Sequence, residues 1–600
     1  MATYKAPLRE MRFVLHEMLG VETLAELPGY EEATPDLIDA ILEEGAKLCE
    51  NELQPLNYSG DQEGCTYENG VVRTPEGFKE AYKTFAESGW CGIACDPKYG
   101  GQGLPKVINI VFEEMICSAN MSFGMYPGLS MGAYNAIEHH GTDELKDEYL
   151  PKLVDGSWSG TMCLTEPHCG TDLGLIRTKA VPDSDGSYKI SGTKIFISAG
   201  EHDLTENIIH LVLAKLPDAP EGVRGISLFL VPKFLPKQEN GETVAGPRNG
   251  VMCGSIEHKM GIKASSTCVI NFEDAKGWLV GQPHKGMAHM FTMMNAARLG
   301  VGMQGLGIAE VAYQNAVEYA KERVQGRALK GAEAPDKPAD PIIVHPDVRR
   351  MLLRARSLTE GARALAYWTG LEIDKMLKHP DEAVRAEAAD WIELTTPIIK
   401  AFFTDHGFEA ANLAVQVYGG HGYISEHGIE QFVRDARITQ LYEGTNGIQA
   451  LDLIGRKLPA HMGRFLRRFF HPVQQFIEAN AADPEMAEFV TPLMKSFAKL
   501  QQTTLWLAEA GMKDQNDAAA AASEYLRAFG FVAVGYMWAR MARIARDKLK
   551  AGANGEDDFY TAKLATARFY MKRVLPETAG LFATMTGGAG PLMELEEAAF

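Results

Sequence analysis

The chain carries no cysteine beyond Cys268, although nine lie at or before that position in 600 residues. Spacings such as Cys91/Cys95 and Cys163/Cys169 do not pair into a zinc pattern, so no metal site is expected. The thiols read as isolated and reduced, which fits a cytoplasmic protein. Long apolar runs are also missing. The most apolar late stretch, 528–539, is too short to cross a bilayer and is flanked by Arg527 and Arg540, so no membrane span is expected. The opening Met1–Arg12 lacks the apolar centre of a secretory signal. The last residues, Glu597-Ala598-Ala599-Phe600, are not a Ser-Lys-Leu type of peroxisomal address. Positive charge is scarce: 59 Lys and Arg stand against 79 Asp and Glu, a net −20. That balance argues against nucleic acid as a partner, because phosphates need a cationic surface. It leaves room for a local basic pocket that holds a phosphate-bearing ligand.

The length exceeds what one hydrophobic core accommodates and implies several domains. The apolar share of 46% and charged share of 23% are those of a globular protein. Residues 1–160 read as helical. In Pro35–Leu53, apolar Leu37, Ile38, Ile41, Leu42 and Leu48 recur at roughly helical spacing, and Pro35 suits a first helical turn. Cys95–Gly103 is turn chemistry. From about Ser159 the texture becomes β-rich, with runs at Tyr188–Ser198, Asn207–Lys215, Gly225–Val231 and Thr267–Phe272 between Gly- and Pro-containing turns. Helices return near Gly286, where Leu306, Ala309, Tyr313, Ala316, Ala320 and Val324 predict one buried face. A Pro-rich insert, Lys330–Pro341, reads as a surface loop. The last 140 residues or so are helical, rich in Ala, Met and aromatics. Gly300-Val301-Gly302-Met303-Gln304-Gly305 matches a dinucleotide-binding pattern, but no strand precedes it. It is read as close helix packing.

The most informative stretch is Leu441-Tyr442-Glu443-Gly444-Thr445-Asn446-Gly447-Ile448-Gln449. Before it come Val415-Gln416-Val417-Tyr418-Gly419-Gly420-His421-Gly422 and Arg434-Asp435-Ala436-Arg437. In order and spacing these segments resemble those of acyl-CoA dehydrogenases that contact the flavin and deliver the catalytic carboxylate. The resemblance covers about residues 50–465. The opening Tyr4–Glu10 and the helical tail resemble a longer, bacterial branch that includes 3-methylmercaptopropionyl-CoA dehydrogenases. The implied fold is α+β, in four parts: an N-terminal helical domain (1–160), a β-domain (161–285), a C-terminal four-helix bundle carrying the base (286–465) and an additional helical domain (466–600).

The implied reaction removes the α-proton of an acyl-CoA thioester and its β-hydrogen as hydride. That needs a base and a hydride acceptor, and no side chain accepts hydride, so a cofactor is required; the resemblance implies that it is FAD. The resemblance assigns the base to Glu443. An apolar surround, to which Leu441, Tyr442 and Ile448 contribute, raises the basicity of a carboxylate. An alternative position for the base in the family falls on Ala297, which takes no proton. Arg298 matches an arginine near the base and substrate; Thr171, Asn295 and Gly444 are the other implied substrate contacts. The flavin loop resembles Met162–Asp172, with Met162, Leu164, Thr165, Gly170 and Thr171 as contacts. His168-Cys169 replaces the usual pair of small residues. In the second flavin segment, Phe196, Ile197 and Ser198, the hydroxyl of Ser198 approaches the flavin N5 and Phe196 stands where Trp is usual. Arg323 and Gln325 match the pyrophosphate contacts, an arginine fork suiting two phosphate oxygens; Gly326-Arg327 departs from the usual Phe-Gly. Gln416, Gly419 and Gly420 match the adenosine side. Thr445 and Gly447 follow the base, the latter in place of a usual Gln.

The resemblance further implies electron-transferring flavoprotein as acceptor and a homodimer in which FAD is gripped across the subunit boundary. Apolar tail stretches such as Phe529–Met541 are expected to need a partner surface. An acyl-CoA oxidase and a DNA-binding flavoprotein of the same superfamily remain alternatives.

Overall fold

The computed structural model describes residues 2–600. Helices open the chain: α1 (Leu8–Arg12), α2 (Pro35–Leu48), α3 (Pro55–Glu63) and α4 (Phe78–Glu87), with a small hairpin of β1 (Thr66–Glu68) and β2 (Val71–Arg73) between the last two. The long α5 (Lys106–His140) and α6 (Asp143–Val154) follow. Then come β3 (Trp158–Cys163), β4 (Lys179–Pro182), β5 (Tyr188–Ser198), β6 (Asn207–Lys215), β7 (Ile226–Pro232), β8 (Phe234–Glu239), β9 (Glu242–Arg248), β10 (Val251–Ile256) and β11 (Thr267–Leu279). Three long helices, α7 (Gly286–Glu322), α8 (Pro346–Lys378) and α9 (Glu382–Tyr418), precede the short α10 (Ile429–Thr439) and α11 (Asn446–Asp452). The tail holds α12 (Arg464–Asn480), α13 (Ala487–Lys513), α14 (Gln515–Ala520), α15 (Ala522–Ala551) and α16 (Asp557–Phe569), then shorter turns. The chain divides into two compact units: 47–104 with 115–300, and 1–46 with 105–114 and 301–600.

The first unit is built on a seven-stranded sheet in the order β10-β11-β5-β4-β6-β3, with β7 paired to both β11 and β6. Strand β3 has two differently used faces, as its pleat dictates. On one, Gly160 packs so tightly against α5 that a Cβ there would lie 2.3 Å from that of Ala133. On the other, Ser159, Thr161 and Cys163 meet two buried histidines. Ser159 Oγ is 3.0 Å from His202 Nε2, and Thr161 Oγ1 is 2.7 Å from His210 Nδ1. Burial holds both rings neutral, at pKa values of about 3. The unfolded chain takes up these protons below about pH 6.5, so stability is full above that value and falls as pH drops toward 3. The slope is about 1.4 kcal/mol per pH unit for each ring. A urea midpoint that falls between pH 7 and pH 5, with a slope shallower by one proton in His210→Gln, is the expected result. An unchanged slope in that variant contradicts it.

In the second unit α7 crosses α9 at glycines. A Cβ on Gly302 would sit 2.5 Å from Ile399, on Gly305 2.5 Å from the Phe403 carbonyl, and on Gly407 2.4 Å from the Gly305 carbonyl. The nucleotide-like pattern is therefore helix packing, as the sequence indicates. The predicted single buried face of α7 is too narrow a description. Every residue from Val301 to Ala312 is buried, because small side chains let neighbours approach from all sides. The expectation for Phe529–Met541 is also corrected. These residues of α15 need no partner molecule. Trp538 is fully buried and donates from Nε1 to the Ser357 carbonyl at 2.7 Å, while Gly361 and Gly530 make room for Val534 and Phe402. The tail is thus a continuation of the bundle core.

Elsewhere the strands at Tyr188–Ser198 and Asn207–Lys215 match expectation, while β11 runs to Leu279 and β3, β4, β8, β9 and β10 were not foreseen. The hairpin of β1 and β2 interrupts the helical N-terminal part. The insert at 330–341 is a loop pinned by Asp340, whose carboxylate accepts from the Ala328, Glu333 and Ala334 N–H groups and from Arg327. All nine cysteines are free. Among the described residues, no helix is long and apolar enough to cross a membrane.

Candidate active site

The loop after β3 is built around Glu166. This buried carboxylate accepts from Lys194 Nζ at 2.9 Å, from the Arg177 N–H at 2.7 Å, and from the Thr178 N–H and hydroxyl at 3.0 and 2.6 Å. Burial opposes its charge, but Lys194 and these donors outweigh that and hold its pKa below the usual carboxylate range. Lys194 is itself fully buried and also donates to the Leu164 carbonyl at 2.9 Å. One residue on, the Ile195 N–H donates to the Thr165 carbonyl at 2.9 Å. The loop Met162–Thr171 is in this way tied to the end of β5. Within it a Cβ on Gly170 would lie 3.5 Å from the Thr165 methyl, which sets Thr165 beside Gly170 and the exposed Thr171. Glu166, His168 and Cys169 offer ligand atoms within 4.8 Å of one another. The Glu166 oxygens already accept from Lys194, Arg177 and Thr178, so its carboxylate braces the loop.

Strand β5 then does something unusual. Ile197 pairs with Cys268 and Lys194 with Ile270, so Ile195 and Phe196 face the single residue Val269 across a bulge. Phe196 takes a left-handed backbone, φ 57°, and is 60% exposed, while its neighbour Ile197 is 2% exposed. A large aromatic is thus held outward in a backbone conformation that is rare for its type. The half-buried Ser198 follows two residues on, at the end of β5.

At the other end of this unit Arg298 is 8% exposed, so it is no surface cation. Its Nη1 lies 3.5 Å from Asn295 Oδ1, and its guanidinium carbon lies 5.6 Å from the centre of the Phe291 ring. Around the core between β3, α5 and the start of α7 lie the partly buried Leu129, Met131, Met162, Leu164, Met287 and Met294.

In the second unit, Arg323 and Gln325 follow the end of α7 with exposed side chains. The Arg323 carbonyl accepts from Ile342, Val324 bridges Pro341, and His345 Nε2 is 2.8 Å from the Gln325 carbonyl. One helical turn before Arg323, Tyr319 stacks on Tyr418 with ring centres 4.0 Å apart, and its hydroxyl lies 2.7 Å from His421 Nδ1. The stack sets the last turn of α7, just before Arg323, beside the last turn of α9, which holds Gln416 and leads into Gly419 and Gly420. Gly419 has φ 61°, and a Cβ on Gly420 would have nothing within 4 Å. The result is an exposed arginine beside an open stretch of backbone.

Glu443 also has a left-handed backbone, φ 58°, followed by Gly444 at 84°. Thr445 caps α11 by accepting from the Ile448 N–H at 3.3 Å, and Gly447 lies exposed in the first turn. Of the residues expected to surround the base, Leu441 is 46% exposed and Tyr442 donates its hydroxyl to Gln304. Four supports of these segments were missed: Lys194, Lys400, Asn446 and Gln449. The legible signal was a lysine at an inward position of a strand for Lys194 and at a core position of a helix for Lys400.

The residues present fit FAD. An outward aromatic and hydroxyls frame one segment, and an arginine beside side-chain-free backbone forms another. A third segment is the loop that carries the Glu443 carboxylate in a constrained backbone. Comparison with known proteins gives the family. Residues 38–157, 161–275 and 284–458 match the models for the N-terminal, middle and C-terminal domains of acyl-CoA dehydrogenase, and 469–596 match the acetyl-CoA dehydrogenase C-terminal like model. The chain is 45% identical to 3-methylmercaptopropionyl-CoA dehydrogenase of Ruegeria pomeroyi, over 98% of this chain and 99% of that one. It is 35% identical to the broad-specificity linear acyl-CoA dehydrogenase FadE5 of Mycobacterium tuberculosis, over the full length of both. An acyl-CoA dehydrogenase from Bacillus anthracis, solved with FAD, shares the fold at a TM-score of 0.74 and 22% identity, covering 96% of this chain and 91% of the other. The chain belongs to the acyl-CoA dehydrogenase family. It is an FAD-dependent oxidoreductase that acts on acyl-CoA thioesters.

Proposed function

We propose that the preferred substrate is a short acyl-CoA of the 3-methylmercaptopropionyl type and that Glu443 takes its α-proton. The near full-length identity to the Ruegeria pomeroyi enzyme carries the substrate reading. When bound, FAD supplies the acceptor for the β-hydride. Met162, Leu164, Thr165, Gly170, Thr171, Phe196, Ile197 and Ser198 hold its reactive ring. Arg323, Gln325, Gln416, Gly419, Gly420, Thr445 and Gly447 hold the remainder. Thr171, Asn295, Arg298 and Gly444 orient the thioester. Glu443 removes the proton as the α,β double bond forms, giving the 2-enoyl thioester. The four-part division at 160, 285 and 465 belongs to this reading, as does a cytoplasmic location.

A series of acyl-CoAs with an artificial electron acceptor tests the substrate. The highest kcat/KM is expected for the thioether acyl group or its straight-chain isostere. An optimum at long chains contradicts the reading. Electron-transferring flavoprotein is the proposed acceptor, and stoichiometric oxygen uptake in its place makes the enzyme an oxidase. DNA binding in a titration would favour the third reading.

The proposed assembly is a homodimer. The exposed side chain of Arg323 and the open backbone at Gly420 support it, because exposed groups are free to meet a second copy. Light scattering of the holoenzyme is expected to give a dimer, and Arg323→Ala to lose FAD and dimer together, since a ligand bound across an interface stabilises it. A monomer at micromolar concentration contradicts the shared site.

A further inference from the structure

We propose that Gln449 and Asn446 are positioning residues that clamp Glu443 in its left-handed backbone. The inference rests on the reading of Glu443 as the base. A non-glycine residue stays in this conformation only where its surroundings impose it, and here Glu443 and Gly444 adopt it in succession.

The imposing groups are identifiable. Gln449 is fully buried on α11 and donates from Nε2 to the Glu443 carbonyl at 3.0 Å. The amide lies so close to the loop that a Cβ on Gly444 would be 2.6 Å from Nε2. Its other end, Oε1, is buried with no hydrogen-bond partner among the described residues. A buried amide half satisfied is costly as mere packing, and the one bond it makes goes to Glu443. That bond fixes the direction of the Glu443 carbonyl, and with it the backbone from which the carboxylate projects.

Asn446 anchors the loop's far side by using both ends of its side chain. Its Oδ1 accepts from Lys400 Nζ at 2.9 Å, and Lys400 is fully buried. Its Nδ2 donates to the Thr404 hydroxyl at 3.0 Å and to Asp405 at 2.7 Å. Only an amide offers an acceptor toward the lysine and a donor toward the aspartate. The Asn446 N–H also returns to the Gln440 carbonyl at 3.1 Å, closing the loop on itself. On the near side Tyr442 is held by Gln304. Glu443 thus lies between fixed points on α7, α9 and α11.

The test uses the holoenzyme. Gln449→Met keeps side-chain volume and removes the bond to the Glu443 carbonyl. Asn446→Ser releases α9. In rapid mixing with acyl-CoA, each variant is expected to reduce its flavin about 10²-fold more slowly, the cost of a base misplaced by roughly 1 Å. FAD content should be retained in both variants and the urea midpoint in Gln449→Met, and KM should change far less than the reduction rate, because Thr171, Asn295 and Arg298 are untouched. Wild-type reduction rates in both variants, alongside an inactive Glu443→Gln, overturn the clamp and leave the base in place. Loss of FAD or of folding in proportion to the loss of rate in both variants also overturns it, since both residues would then be structural. Wild-type reduction by Glu443→Gln overturns the reading of the base, and the clamp with it.

Discussion

Glu443→Gln is expected to lower turnover by roughly 10²–10⁴-fold, the range a positioned general base supplies, while FAD stays bound. The amide matches the carboxylate in size and cannot accept the α-proton. The backbone supports at Gln449 and Asn446 are unaffected, so the loop should keep its conformation. Acyl-CoA should still bind and perturb the flavin spectrum. Rapid mixing under anaerobic conditions measures the reduction step directly. Flavin bleaching within a factor of about ten of wild type would remove Glu443 from its assigned role.

The second large effect concerns stability. Arg363→Met is expected to destabilise the protein by about 3–5 kcal/mol, the typical result of removing one partner from a buried ion pair. Arg363 is fully buried. It donates to both oxygens of Glu114, at 2.9 and 3.2 Å from Nε and 2.6 Å from Nη2, and to Glu310 at 2.6 Å. Tyr367 donates to the same Glu114 at 2.6 Å. Burial raises the Glu114 pKa even with the arginine beside it. Without Arg363 two buried carboxylates face each other across α5 and α7. The urea midpoint measures the loss. In the double variant Glu114→Gln, Arg363→Met the cost should be well below the sum of the single costs, because the groups act as one network. A single-variant loss below about 1 kcal/mol, in the range of surface pairs, contradicts this account.

Local chemistry was the legible part of this sequence. The helix at Pro35 was readable because proline suits a first turn, and the strands at Tyr188–Ser198 and Asn207–Lys215 because turn residues bound them. The decoy glycines were readable because no strand precedes them. The motif around Glu443 identified the loop that the structure holds in a left-handed conformation. What stayed hidden depends on contacts between residues distant in sequence. The role of Lys194 appears only when β5 places it on Glu166, and that of Lys400 only when α9 places it on Asn446. The outward turn of Phe196 comes from a bulge opposite Val269, and strand periodicity cannot show where pairing gains a residue. The tail misled for a related reason. The apolar run Phe529–Met541 looks alike in sequence whether it is covered by another molecule or by α8 and α9 of its own chain.

The central claim is that this site removes a proton and a hydride from the α and β carbons of an acyl-CoA. Anaerobic titration of the FAD-loaded protein with 3-methylmercaptopropionyl-CoA tests it most directly. The account predicts loss of the oxidised flavin absorbance with formation of the corresponding 2-enoyl thioester, one for each flavin reduced. A protein that binds FAD but keeps its oxidised spectrum through the titration, with this substrate and with straight-chain acyl-CoAs alike, would contradict it.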